Sequence, residues 1–250
     1  MNIPDPVDLT ERKAIQIGGP ARVLIVSDIH VPFHDPDAIR TAIAYGMERG
    51  PITHIVVNGD LLDAHHLSSF EKDPHARHFR DEVEDAAKIL AIFRDCFPRA
   101  ELIVKMGNHE ARFDRYVRTN APQLSGIVGV SVEEILGRFV PGVLFVEEWR
   151  SIMAGDLLIV HGHEVGRGGG GAHPARWLLQ RAGTSAICGH FHRTDHFRNR
   201  NAIGTIVEAW TTGTLCNLSP DYHPRNQWNH GAAFVEVETD ATFEVENVIF

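Results

Sequence analysis

The sequence predicts an α/β fold, with alternating strands and helices in its first half and mostly strands in its second half. Three observations support this prediction. Short runs of branched apolar residues alternate with helical periodicity over residues 22–106, further short apolar runs dominate the rest of the chain, and histidine or acidic residues follow five of the runs. The chain has 250 residues and no evident linker, so we expect a single domain over residues 1–250.

The first half predicts a strand–helix–strand–helix–strand order. The first helix has a start signal at Asp35-Pro36 and a stop signal at Gly50-Pro51, and both helices place apolar residues along one face. Because the strands alternate with helices, their carboxyl ends should share one edge of a sheet, where open α/β folds bind ligands. The predicted elements are strands at 22–27, 53–58 and 101–106 and helices at 36–49 and 79–97.

The second half predicts a series of short strands. The first three, at 143–147, 151–154 and 157–160, are predicted to form hairpins. The glycine stretch 168–171 predicts a mobile loop, because glycine is the residue whose ordering costs most conformational entropy, and it lacks the lysine and spacing of a Walker loop. The remaining predicted strands are 185–188, 206–211, 232–237 and 243–248.

Composition excludes several classes of protein. No apolar run approaches the ~20 residues that cross a bilayer, and residues 1–11 lack the pattern of a signal peptide, so we expect no membrane partner and a cytoplasmic location. The net charge of −9 argues against a generally basic nucleic-acid-binding surface. Cys96, Cys188 and Cys216 lack the spacing of a disulfide or zinc framework, and we expect them to be reduced and buried.

The sixteen histidines suggest a site, because histidine is both the commonest metal ligand and the usual acid or base near neutral pH. Scattered surface histidines are the alternative, but here many histidines directly follow apolar runs. Each motif alone is weak, since an aspartate after a strand is more often part of a turn. Together the five predict a site at the strand ends: Asp28-Ile29-His30, Gly59-Asp60-Leu61-Leu62-Asp63, Gly107-Asn108-His109-Glu110, His161-Gly162-His163 and Gly189-His190-Phe191-His192.

This combination of motifs resembles the calcineurin-like metallophosphoesterase superfamily over residues 23–192. The resemblance implies a four-layer α/β/β/α sandwich that holds two metal ions at the carboxyl ends of its central strands, and it implies a hydrolase that acts on phosphoesters. Residues 68–70 and 212–231 resemble phage and bacterial members of the superfamily.

The resemblance also implies a ligand set when it is carried over motif by motif. The fourth motif offers both His161 and His163, and we expect His161 to be the ligand because it directly follows the apolar run 157–160, whereas His163 lines the pocket or is exposed. Carboxylate, imidazole and amide ligands together suit manganese, our first expectation, or iron, zinc or nickel better than calcium or magnesium. The implied ligands are Asp28, His30 and His192 for the first metal, Asp60 as the bridge, and Asn108, His161 and His190 for the second.

Two such cations could hold a bridging water as hydroxide for in-line attack at phosphorus. The resemblance implies that His109 is no ligand but faces the substrate, where it could protonate the departing alkoxide, with Asp63 accepting its other ring proton. A turn-forming role is the alternative for Asp63. Arg112 could bind a phosphate oxygen or pair with Glu110 or Asp114, and we expect Glu110 to support the loop.

The expected substrate is a small phosphoester or nucleotide, with a phosphodiester preferred. Residues 166–200 carry six arginines against one aspartate and could attract anions, although a solvated arginine-rich helix face would show the same composition. Tyr222 and Trp228 could stack bases, whereas Trp210 is expected in the core. The alternatives are a nuclease acting on DNA or RNA and a catalytically silent metal-binding scaffold.

Overall fold

A computed structural model describes residues 12–69, 71, 77–166, 168, 171–220 and 223–250. Several residues used in the sequence analysis lie outside this described part of the chain. They are residues 1–11, Phe70, Arg167, Gly169, Gly170 and Tyr222.

The described residues form twelve strands and five α-helices. In chain order these are β1 (Ile15–Ile17), β2 (Ala21–Val26), α1 (Pro36–Glu48), β3 (His54–Asn58), α2 (Phe79–Cys96), β4 (Glu101–Lys105), α3 (Ala111–Asn120), α4 (Val132–Phe139), β5 (Leu144–Val146), β6 (Ile152–Ala154), β7 (Leu157–Ile159), α5 (Pro174–Ala182), β8 (Ala186–Cys188), β9 (Asp195–Arg200), β10 (Ile206–Thr211), β11 (Gly231–Val237) and β12 (Phe243–Ile249).

The strands form two six-stranded sheets. The first has the order β12-β11-β2-β3-β4-β5, in which β2 to β5 run parallel, β11 is antiparallel to β2, and β12 is antiparallel to β11. The second has the order β1-β6-β7-β8-β10-β9, with an antiparallel β6–β7 pair and a parallel β7–β8 pair. Within the first sheet β2 to β5 therefore direct their carboxyl ends to one edge, and within the second sheet β7, β8 and β10 do the same.

The two faces of β2 show how the layers form. Leu24 and Val26 pack in the cluster that includes the apolar faces of α1, α2 and α4, whereas Val23 and Ile25 pack against residues of the second sheet. This follows from the two-residue period of a strand, which sends alternate side chains to opposite faces. Because α5 covers the outer face of the second sheet, the result is the four-layer α/β/β/α sandwich implied by the resemblance, and that prediction is confirmed.

The start and stop signals predicted for α1 are found at the two ends of the helix. The Asp35 carboxylate accepts the amide hydrogens of Asp37 and Ala38 at 2.8 and 3.0 Å, and Pro36 occupies the first turn. These bonds satisfy amides that have no partner inside the helix. Gly50 follows the last turn with a φ of +86°, and this left-handed conformation ends the helix before β3.

Three predictions about the fold were incomplete or wrong. The run 144–146 does not form a hairpin with β6 but pairs in parallel with β4 in the first sheet, while β6 pairs with β1, a strand too short to be predicted. The segment Asp195–Arg200 forms the edge strand β9, which was not predicted because most of its side chains are polar. Cys96 is half-buried at the end of α2, whereas Cys188 and Cys216 are buried and free as expected.

Trp210 lies in the core between the sheets, as predicted, and is 7% exposed. In the described part of the chain, none of the helices has the length and apolar character that spanning a bilayer would need.

Phe93→Ala is expected to lower the free energy of unfolding by about 3–5 kcal/mol, because the ring is fully buried between α2 and the first sheet and its removal leaves a cavity. The matched control is Ile92→Ala, at a neighbouring position of the same helix that is 47% exposed, which should cost less than about 1 kcal/mol. Urea denaturation measures both values, and equal losses would contradict this packing.

Candidate metal centre

All five predicted motifs meet at one edge of the sandwich. The loops after β2 and β3 run side by side, with the amides of Asp28 and His30 donating to the carbonyls of Gly59 and Asp60 at 3.1 and 2.9 Å. The loop after β8 joins them, because the amide of His190 donates to the Asp28 carboxylate at 2.9 Å. Parallel strands thus bring motifs that are far apart in sequence into direct contact.

The first cluster contains Asp28, His30 and His192, all buried. His192 Nε2 lies 3.2 Å from Asp28 Oδ1 and 3.1 Å from His30 Nε2. Their ligand atoms are all within 4.8 Å of one another, so the three side chains could hold one cation.

The second cluster contains Asp60, His161 and His190, whose ligand atoms also lie within 4.8 Å of one another. His161 Nε2 is 3.2 Å from Asp60 Oδ2, and His30 of the first cluster is 3.8 Å from the same oxygen. The Asp60 carboxylate therefore lies between the two clusters and could contact a cation in each.

Two predicted ligand atoms fit a metal in particular. Asn108 Oδ1 is buried and has no hydrogen-bond partner among the described residues, and the buried His161 Nε2 has only the Asp60 carboxylate nearby, at 3.2 Å. Leaving a buried polar atom without a partner costs about 1–3 kcal/mol, so such atoms need an explanation. Coordination to a divalent cation would satisfy both, and the combination of carboxylate, imidazole and amide donors suits a transition metal.

The electrostatics of the site also favour positive charge. Burial opposes ionisation of Asp28, but the charge of His192 outweighs it and holds the pKa of Asp28 below its usual range. Burial likewise lowers the pKa of His161 and His192, yet the neighbouring carboxylates of Asp60 and Asp28 raise both pKa values to about 10. A bound cation would compete with protons for the same nitrogens.

His190 differs from the other two imidazoles. Burial, reinforced by the charge of His161, lowers the pKa of His190 to about 4. A neutral imidazole near neutral pH is the form that coordinates a metal, so His190 is ready to serve as a ligand.

Backbone strain is concentrated at the predicted ligands. Left-handed φ is unfavourable for residues other than glycine, typically by about 1–2 kcal/mol. Such angles persist only where the surrounding structure enforces them, and they cluster at functional sites. The predicted ligands with positive φ are Asp28 (57°), His30 (50°), Asp60 (52°), His190 (67°) and His192 (55°).

Two glycines allow the motif loops to approach one another. A Cβ on Gly107 would lie 2.2 Å from Asp60 Oδ1, and a Cβ on Gly189 would lie 1.8 Å from Ser27 Oγ. Any side chain at either position would displace a carboxylate or its neighbour. The glycine that begins each of these two motifs is thus required by close contact.

Glu110 supports the loops, as the sequence predicted. Its buried carboxylate accepts the amides of Asp60, Leu62 and Gly107 at 3.1, 2.8 and 2.8 Å. One side chain therefore connects the loop after β3 to the loop after β4 and fixes the backbone that presents Asp60 and Asn108.

Two further glutamates, the buried Glu82 and the half-buried Glu164, have similar roles that the sequence analysis missed. Glu164 accepts the amides of His161 and Gly162 at 2.9 and 2.7 Å, and the fully buried Lys105 lies 3.0 Å from it. Burial would raise the pKa of Glu164, but Lys105 lowers it to about 2. A lysine inside an apolar strand was the available signal, since buried lysines need a partner.

Asp63 lies between two histidines. Its Oδ1 is 3.1 Å from His30 Nδ1 and 3.3 Å from His109 Nδ1, and its backbone carbonyl is 2.8 Å from His109 Nδ1. Arg112 donates to the same carbonyl at 2.7 Å and lies 3.0 Å from His109 Nε2. Among the described residues Arg112 thus contacts Asp63 and His109, not the glutamate or aspartate that the sequence offered.

His163 lies outside both clusters. Its Nε2 is 2.9 Å from Glu148 Oε1, and its Nδ1 is 3.2 Å from Glu164 Oε2. Of the two histidines in the fourth motif, His161 is therefore the one whose free ring nitrogen faces Asp60.

A four-layer sandwich with these clusters at its strand ends has the architecture of a metal-binding hydrolase. The chain matches the family model described as calcineurin-like phosphoesterase over residues 21–194, which is more than half of its length. The protein therefore belongs to the calcineurin-like phosphoesterase family, which indicates hydrolysis of phosphoesters with divalent metal.

Two mycobacteriophage proteins are similar along most of the chain. The Gene 54 protein of Mycobacterium phage D29 is 29% identical over 235 residues, which cover 87% of this chain and 89% of the phage protein. The Gene 54 protein of Mycobacterium phage L5 is 26% identical with the same coverage. The similarity extends beyond the part matched by the family model.

Like Glu110 and Glu164, Glu82 supports a loop of the site. It is buried on α2, and its carboxylate accepts the amide of Ala64 at 2.8 Å. Burial raises its pKa to about 7, so the folded protein keeps a proton that the unfolded chain releases near pH 4.5. The stability that this group contributes is thus present below about pH 4.5 and is lost as the pH rises through about 7.

Glu82→Gln is therefore expected to raise the free energy of unfolding at pH 8 by about 1–3 kcal/mol, with the gain disappearing toward pH 5. The amide oxygen of glutamine can still accept the Ala64 hydrogen. Urea denaturation across this pH range measures the effect. The exposed Glu48→Gln carries the same charge change and should show no such trend, and a gain independent of pH at Glu82 would contradict the titration.

Proposed function

We propose that the protein is a dinuclear metal-dependent phosphoesterase that prefers phosphodiesters or nucleotide-type esters. The observation that carries this proposal is the position of the Asp60 carboxylate between two ligand clusters, each lined with imidazole nitrogens. A single shared carboxylate is the arrangement expected where two cations lie close together.

The proposed ligands follow the two clusters. Asn108 is included in the second set because its buried amide oxygen needs a partner. When bound, two divalent cations, which we propose to be manganese, supply an activated water and neutralise charge at phosphorus. The proposed ligands are Asp28, His30, His192 and Asp60 for the first cation and Asp60, Asn108, His161 and His190 for the second.

His109 is proposed to be the general acid. Its Nδ1 faces the Asp63 carbonyl and carboxylate, which hold the ring and favour its protonated form. Burial lowers the pKa of His109, but Asp60 and Asp63 outweigh it and raise the pKa above its usual value. Arg112 can only donate and lies 3.0 Å from Nε2, so once its guanidinium turns to the phosphate, a protonated Nε2 could donate its proton to the departing alkoxide.

Arg112 is proposed to bind the phosphate. Its guanidinium lies against His109 Nε2, where the leaving group would be, and it has five N–H donors, of which the described contacts use only part. The planar fork is suited to the paired oxygens of a phosphate.

A small substrate is favoured over a long nucleic acid. Three arginines of segment 166–200 contact other side chains of the protein: Arg176 lies over the Phe197 ring, Arg181 lies over Trp177, and Arg198 is 3.6 Å from Glu208. A catalytically silent scaffold is less consistent with the chain, because every expected ligand and the acid His109 are retained.

His109→Ala should retain the metals and lower kcat on diesters with poor alkoxide leaving groups by roughly 10²–10⁴-fold, because protonation then limits bond cleavage. The loss should be smaller on bis-p-nitrophenyl phosphate, whose leaving group needs little protonation. Metal content by mass spectrometry and steady-state kinetics test this, with the exposed His196→Ala as the control. Equal losses on both substrates, or lost metal, would refute the assignment.

Asp60→Asn should abolish binding of both cations, because the proposed bridge loses its negative charge. After chelation and dialysis against manganese, wild type should hold about two ions per chain and the variant less than about 0.5. Asp37→Asn, on the exposed surface of α1, is the matched control. A variant that keeps one tightly bound ion would show that Asp60 serves a single site.

A further inference from the structure

A cavity of about 400 Å³ lies beside the Gly-His-x-His loop that carries two of the proposed ligands. Phe191 of that loop lies in sequence between the two proposed ligands His190 and His192, and it lines the cavity together with Trp228. None of the described residues that line it is acidic, although the chain carries a net charge of −9.

We propose that this cavity is a nucleoside subsite that holds the base of a nucleotide ester against Trp228 and an additional phosphate against Arg225. The inference rests on the proposed function, because it identifies the group that remains attached to phosphorus as a nucleoside. It also commits to one class of substrate, a nucleoside phosphodiester, among the many esters that two cations could hydrolyse.

The position of Trp228 connects the cavity to the reacting phosphorus. Its ring lies 4.2 Å from the ring of His192, and His223 packs edge-on at 5.9 Å. The half-buried indole is therefore fixed beside a proposed ligand of the first cation and still contributes surface to the cavity. A phosphate held at the cations would place its next substituent within reach of this aromatic wall.

Phe191 completes the aromatic surroundings. Its ring packs edge-on against His190 at 5.3 Å and against Trp177 at 5.5 Å, so it is held from both sides. Two fixed aromatic side chains around a cavity of this size suit one base and its sugar, since small-molecule pockets span about 300–1,000 Å³. The cavity is too small for a duplex.

The two arginines of the cavity have different roles. Arg193 donates to the Ala172 carbonyl at 2.7 Å and to the Gln227 side chain, and thereby joins the segment before α5 to the segment that carries Trp228. Arg225 is exposed and makes no hydrogen bond or ion pair with any described residue. Its guanidinium is available for an anion, which favours a substrate with a second phosphate.

The test compares esters that share one leaving group. Manganese-loaded wild type should hydrolyse thymidine 5′-(p-nitrophenyl phosphate) with a kcat/KM at least about 10-fold above that for methyl p-nitrophenyl phosphate, because only the former can stack. A 3′-phosphate on the thymidine should increase the preference further. The ratio of the values cancels any general effect on the metal centre.

Trp228→Ala should reduce the thymidine-to-methyl ratio by roughly 5- to 100-fold, and Trp228→Phe should restore most of it, because a phenyl ring still stacks. Arg225→Ala should remove the advantage of the 3′-phosphate by about 3- to 10-fold. Arg99→Ala, an exposed arginine at the amino end of β4, is the matched control and should change neither ratio. Unchanged ratios in the Trp228 and Arg225 variants would overturn the subsite.

A binding measurement separates this inference from the proposed function. Calorimetric titration of thymidine 3′,5′-bisphosphate into chelator-treated full-length protein should show binding that weakens at least about 5-fold in Trp228→Ala and in Arg225→Ala. If wild type cleaves neither ester, the proposed function fails, and this titration still decides the subsite. If wild type cleaves both equally and the titration shows no dependence on Trp228, the subsite alone fails.

Discussion

The site depends on buried carboxylates that accept backbone amides. Glu82, Glu110 and Glu164 each lie beneath a loop that carries predicted site residues, and together they accept the amides of six residues. The loops adopt left-handed angles at several of these residues, which the backbone would otherwise avoid. Multiple hydrogen bonds to a fixed acceptor are a sufficient reason for such conformations to persist.

The three glutamates are stabilised in different ways. Glu164 is ionised because Lys105 is buried beside it, whereas burial raises the pKa of Glu82 and of Glu110. A buried charge without a partner is costly, so the lysine in β4 and the glutamate after β7 form one structural unit. This ion pair links the two sheets at the edge where the cations are proposed to bind.

The sequence predicted the strands beside the site to within one or two residues, because apolar runs that end in polar motifs have few alternative interpretations. It could not predict that the run 144–146 joins β4, since strand pairing is a non-local choice and the three-residue strand β1 gave no signal. The sequence suggested that Trp228 could stack bases, but it could not place this ring beside the metal centre. The contact between Trp228 and His192 joins residues 36 positions apart, and no periodicity encodes it.

Asp63 contacts two histidines that have different proposed roles, the metal ligand His30 and the general acid His109. Its carboxylate lies near Nδ1 of both His30 and His109, while the opposite nitrogens of those rings face the cation clusters and Arg112. The proton on each Nδ1 fixes which nitrogen is available on the other side of the ring. A single carboxylate thus orients both a proposed metal ligand and the proposed acid. A substitution of Asp63 would therefore change the geometry of cation binding and the protonation of the leaving group at the same time.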